Sequence, residues 1–132
     1  MWLEVHEIPD AVDRLLSQGR SAIRDAAEAT LAANPLVGAT VARGSSDHAA
    51  TYFKSATELK LGLPVASIGP SIASIYGAKV QLSRGVCVSI SQSGQSPDIV
   101  EMARTARAGG ALTLAVTNHS DSPLANASHR TL

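Results

Sequence analysis

Cysteine, aromatic side chains and net charge are all scarce in this 132-residue chain, and each shortage removes a class of function. The one cysteine, Cys87, leaves no partner for an intrachain disulfide and no cysteine set for a zinc site. Flanked by valines, it reads as a small buried hydrophobe. Aromatics make up 3% of the residues, too few for a platform on which nucleic-acid bases stack. The 11 Lys and Arg balance the 11 Asp and Glu, so no basic footprint for a polyanion is present. No apolar run approaches the roughly 18 residues of a membrane span, and residues 1–10 carry acids where a secretory signal would carry basic residues. A cytoplasmic chain without nucleic-acid or membrane partners is therefore expected. His6, His119 and His129 have no ligand spacing with one another or with acids, so neither a metal nor a cofactor is expected.

What the chain does have is apolar material, at 45% hydrophobic residues, enough for one core in a length suited to one domain. The first third reads as two packing helices. Val12, Leu15 and Leu16 form one apolar stripe, Ile23, Ala26, Ala27 and Leu31 form another, and Gly19 lies between them. Beyond Asn34-Pro35, residues 36–42 (LVGATVA) read as a strand buried on both faces. A helix is expected over 46–60, stopped by Gly62-Leu63-Pro64. A strand follows at 64–68, then a short helical segment at 71–76 and an amphipathic stretch at 77–84. Residues 86–91 (VCVSIS) carry the strongest strand pattern. From Asp98 the spacing of Ile99, Met102, Ala103 and Ala106 predicts a helix ended by Gly109-Gly110. A strand at 112–117, a turn at 124–127 and the start of a further strand at Thr131-Leu132 complete the pattern. Alternation of strands and helices implies a doubly wound, flavodoxin-like α/β fold, a parallel sheet with helices on both faces.

In such folds ligands bind at the carboxyl ends of strands, where strand order reverses. Two loops there are rich in glycine and serine, Arg43-Gly44-Ser45-Ser46-Asp47 and Gln92-Ser93-Gly94-Gln95-Ser96, and each leads into a helix. Free N–H groups at a helix start, the positive end of its dipole and rotatable hydroxyls together suit a phosphate. Serines in this position also serve as plain N-caps. Two such loops on neighbouring strands can converge on one anion. The second loop and its near flanks hold no basic residue, which excludes a Walker-type loop, and no dinucleotide fingerprint is present. Around Ser93 there is no Gly-x-Ser-x-Gly elbow for a serine nucleophile. Two flanking residues stay open: Arg43 as anion partner or solvated strand end, and His48 as pocket-facing or exposed.

Residues 89–98 (SISQSGQSPD) resemble the Ser-x-Ser-Gly-x-Ser/Thr-x-Asp/Glu phosphate loop of the sugar isomerase (SIS) domain family. Residues 42–46 (ARGSS) are similar to that family's glycine-serine loop after its first strand. The opening MWLEVHEIP resembles the start of the branch holding the isomerase half of glucosamine-6-phosphate synthase and the SIS-type glucosamine-6-phosphate deaminases. Ile8 stands where glutamine is usual, and Trp2 where the amidotransferase carries cysteine. The resemblance implies that Ser46, Ser91, Gln92, Ser93 and Ser96 bind the phosphate of a hexose or amino sugar, with Gly44, Ser45 and Gly94 supporting the loops. Ser96 replaces the common threonine and keeps the hydroxyl.

The resemblance further implies packing helices over residues 1–33 and an SIS domain over 34–132 whose fifth strand is cut short at Thr131-Leu132. Catalytic groups in that branch come from a second domain and the C-terminal tail, so this chain is expected to bind without turnover. An incomplete sheet would leave an unpaired apolar edge after strand four, so a homodimer, strand exchange or marginal stability is expected. The complete protein is expected to be an aldose–ketose isomerase or deaminase of an amino-sugar phosphate, glucosamine 6-phosphate in the first instance. A non-catalytic, sugar-phosphate-sensing regulatory module is the alternative.

Overall fold

The computed structural model describes residues 2–132, so Met1 of the opening motif lies outside the described residues. Two helices open the chain, α1 (Trp2–Gln18) and α2 (Arg20–Ala33). Asn34 ends α2 in the left-handed conformation at φ 43°, and Pro35 then forbids its continuation. Five strands and four further helices follow: β1 (Val37–Ala42), α3 (Ser46–Leu61), β2 (Val65–Ser67), α4 (Ser71–Ser74), β3 (Gly85–Ile90), α5 (Pro97–Ala108), β4 (Leu112–Val116), α6 (Pro123–Ala127) and β5 (Arg130–Thr131). Residues 77–84, expected as an amphipathic stretch, form neither helix nor strand.

All strand pairs are parallel, in the order β2-β1-β3-β4-β5. This is the doubly wound order whose switch point falls between β1 and β3. Alternate residues of each strand supply two cores. On one face Ala39, Val41, Cys87 and Ala115 pack with Ile99, Met102, Ala103, Leu124 and Ala127 of α5 and α6. On the other, Val86, Val88 and Leu114 pack with Ala26 of α2. The apolar stripes that read as packing helices are only partly used: Val12, Leu15 and Leu16 of α1 are 48%, 55% and 59% exposed. In α2 the one buried residue is Ala26.

Local chemistry explains the boundaries. Ser96-Pro97 and Ser122-Pro123 each place serine at an N-cap and proline at the first helical position, where its missing N–H costs nothing. β2 covers fewer residues than the strand expected over 64–68, yet the Pro64 carbonyl accepts from the Gly38 N–H (2.8 Å) and the Ile68 N–H donates to the Thr40 carbonyl (2.9 Å), so both flanks still reach β1. On the outer edge the Val65 N–H donates to Glu58 Oε1 (3.1 Å) and its carbonyl accepts from Lys54 Nζ (2.6 Å). The hydrogen bond from Lys54, then the backbone N–H of Val65 and the lysine's charge, hold the Glu58 carboxyl below its usual range.

Candidate functional site

Because β1 and β3 are hydrogen-bonded neighbours with Ala42 opposite Ile90, the two serine-rich loops leave the sheet side by side. Adjacent strands lie about 4.8 Å apart, so the loops start within reach of one small anion. The first loop turns at Gly44, with φ +60° and open space where a side chain would stand. It delivers Ser46, half-buried, as the first residue of α3. Ser45 occupies the N-cap without a side-chain capping bond.

The second loop is held more tightly. Ser91 is buried, and its hydroxyl oxygen accepts from the Gly94 N–H (3.2 Å). Ser93 is exposed, and its oxygen accepts from the Gln95 N–H (3.3 Å), which leaves the hydroxyl proton free to donate outward. Ser96 stands at the N-cap of α5 with no side-chain capping bond. Within the described residues the backbone N–H groups of Gln92, Ser93 and Ser96 have no hydrogen-bond partner. These are unsatisfied donors at the start of a helix, the arrangement to which an anion binds.

A third segment, which the sequence reading passed over, braces this loop. The carbonyl of Gln92 accepts from the Asn118 N–H (3.0 Å) and from Thr117 Oγ1 (3.2 Å). The carbonyl of Gly94 accepts from the Leu124 N–H (3.0 Å). In a trans peptide the N–H points opposite the carbonyl, so pinning the Gln92 carbonyl to residues 117–118 turns the Ser93 N–H away from them. Gly94 itself lies against Ser122: a Cβ at position 94 would sit 2.2 Å from Ser122 Oγ. The only trace of this in the sequence is the pair of Ser-Pro steps, which mark helix starts but not their contact.

The two residues left open are now placed. Arg43 Nε lies 2.8 Å from Asp98 Oδ2, with the N–H axis off line, so the contact is a charge pair rather than a directed hydrogen bond. Arg43 Nη2 also donates to Ser71 Oγ (3.3 Å). Its charge is thus engaged by the acid that ends the second motif, and the pair ties the first loop to the start of α5. His48 is exposed. Burial pushes the Cys87 thiol up to about 11, only slightly opposed by Ser89, which leaves no thiolate at neutral pH. No cluster of metal-ligating side chains occurs among the described residues.

Ser46 and Gln92 meet at one cavity of about 400 Å³, with Thr117 and Asn118 completing its polar rim. Leu15, Ile23, Ile90, Val116 and Leu132 form its walls. The volume is within the range of small-molecule sites. Ser91, Ser93 and Ser96 are not among its lining residues; they belong to the turn beside it.

Fold and site together define a doubly wound α/β domain whose switch point carries two serine-rich loops side by side. The SIS domain family model matches residues 39–132, and the chain belongs to that family. An inferred phosphosugar isomerase from Silicibacter pomeroyi DSS-3 superimposes with a TM-score of 0.91 at 55% identity, over 97% of this chain and 39% of that one. The C-terminal domain of glucosamine-fructose-6-phosphate aminotransferase from Francisella tularensis aligns at 24% identity and TM-score 0.69, over 81% of this chain and 30% of its own. The sugar isomerase domain of an RpiR transcription factor from Sphaerobacter thermophilus aligns at 22% identity and TM-score 0.70, over 100% of this chain and 75% of its own. These last two likenesses concern the fold. Among curated proteins none matches the chain. The chain spans 39% of the length of its S. pomeroyi relative.

Proposed function

We propose that this chain binds the phosphate of a hexose or amino-sugar phosphate between the loops that follow β1 and β3. The observation that carries the reading is the set of unpaired N–H groups at Gln92, Ser93 and Ser96, standing beside Ser46 with no lysine in either loop. A phosphate there takes charge-assisted hydrogen bonds, each worth about 1.5–3 kcal/mol before ordering costs. Ser93 and Ser96 add hydroxyl donors, Ser91 fixes the turn through Gly94, Gly44 and Ser45 support the first loop, and Gly94 lets the second loop pack on Ser122. The relative at 55% identity is named for phosphosugar chemistry, in agreement with this assignment.

The activity of the whole protein is part of the same proposal: aldose–ketose isomerisation or deamination of an amino-sugar phosphate, with this chain as its phosphate anchor. Replacing Ser93 with Ala removes one outward donor from an exposed position. Calorimetric titration with glucosamine 6-phosphate should then show about ten- to a hundredfold weaker binding. Unphosphorylated glucosamine should bind both proteins equally poorly. Identical affinity of the two proteins for the phosphosugar would remove the assignment.

A further inference from the structure

The loops that follow β1 and β3 carry few charged side chains. Residues 43–47 and 91–98 hold one cation, Arg43, and two acids, Asp47 and Asp98. Asp47 is exposed. The Asp98 side chain is only 17% exposed, and its Oδ2 is buried without a hydrogen-bond partner. It stands in the first turn of α5, two residues beyond Ser96, whose N–H is unpaired. A phosphate at that helix start therefore shares the positive end of α5 with a carboxylate. Arg43 Nε, 2.8 Å from Asp98 Oδ2, supplies the opposing charge. Arg43 Nη2 donates to Ser71 Oγ (3.3 Å), which steadies the guanidinium from the segment after β2.

We propose that Arg43 is a positioning residue of the phosphate site that acts through Asp98: it holds and neutralises the carboxylate, so that the loop N–H groups can take a dianion. The inference rests on the phosphate reading above. An uncompensated Asp98 repels a phosphate bound within about one helical turn of it, and one charge at that range near a protein surface changes affinity on the order of tenfold. Two simpler roles for Arg43 lead to different outcomes. A tie that merely holds the loops together is broken by removing either partner. A direct phosphate ligand is lost with Arg43 whatever stands at position 98.

Calorimetric titration with fructose 6-phosphate, whose only charge is its phosphate, and with unphosphorylated fructose separates these roles. Arg43→Gln should bind the phosphosugar about tenfold more weakly than the parent chain, and Arg43→Lys, which keeps the charge, within about threefold of it. Asp98→Asn should bind about threefold more tightly or better, and Arg43→Gln combined with Asp98→Asn should return to within about threefold of the parent. Arg43 is 58% exposed, so its two single variants should melt with the parent and carry the test even where a change at Asp98 lowers the melting temperature. Unchanged binding in Arg43→Gln would overturn the inference, as would weaker binding in a folded Asp98→Asn or a double variant as weak as Arg43→Gln. If the parent binds fructose 6-phosphate no more tightly than fructose, the phosphate reading itself fails and the role of Arg43 falls with it.

Discussion

Gly94 shows how much one residue can carry. It holds φ +63°, a conformation that side chains disfavour, and it faces Ser122 with no room for a methyl group. Gly94→Ala is therefore expected to lose about 2 kcal/mol or more of stability. It should also weaken phosphosugar binding, because the turn that presents Ser93 must open; a chemical denaturation curve and a titration read the two effects. Of the candidate residues, Ser91, Ser93, Ser96 and Gly94 were legible as a motif because they are contiguous in the chain. The partner of Arg43 was not, since Asp98 lies on another element and only strand adjacency brings the two loops together.

Among the elements, β5 is joined to β4 by backbone bonds and by one histidine side chain. His129 Nδ1 accepts from the Thr113 N–H (3.1 Å) and lies 2.8 Å from Thr113 Oγ1, which registers the segment before β5 against β4. Partial burial of the ring, then the charges of Arg107 and Arg130, lower its pKa from the ordinary value of 6.5. A depressed base binds fewer protons folded than unfolded. Its contribution to stability is complete above the unfolded value, and is lost as pH falls through that value toward the folded one. Melting temperature should accordingly drop as pH falls through about 6.5 and below, and His129→Asn should flatten the drop. A pH series of thermal melts of the two proteins checks this; parallel curves would contradict it. The long elements β1, α3, β3, α5 and β4 were readable because periodicity and caps agree along each of them. The edge position of β2 was not, because only the tertiary structure shows that the outer backbone groups of Val65 meet Lys54 and Glu58 rather than another strand.

At the scale of the molecule, α1 and α2 leave much of their apolar stripes exposed to water. Ile23, Leu31, Phe53 and Leu61 border a second cavity of about 400 Å³, between α2, α3 and the sheet. All four are exposed, as are Val12 and Leu16 of α1. Apolar surface of this extent drives association. The homodimer expected from the sequence is kept as a prediction: sedimentation velocity should show self-association that rises with concentration, and Val12→Lys with Leu16→Lys should abolish it. A monomer at all concentrations would refute it. None of the helices is long and apolar enough to cross a membrane among the described residues.

The sequence by itself determined the alternation of strands and helices, the burial of Cys87 and the two serine-glycine loops, because each is written in neighbouring residues or in a short period. The tertiary structure alone decided that residues 117–124 brace the second loop, that Arg43 meets Asp98, and that Leu15, Ile90 and Leu132 wall one cavity. These contacts join positions far apart in the chain, and they follow from strand order, which hydrophobic periodicity does not encode.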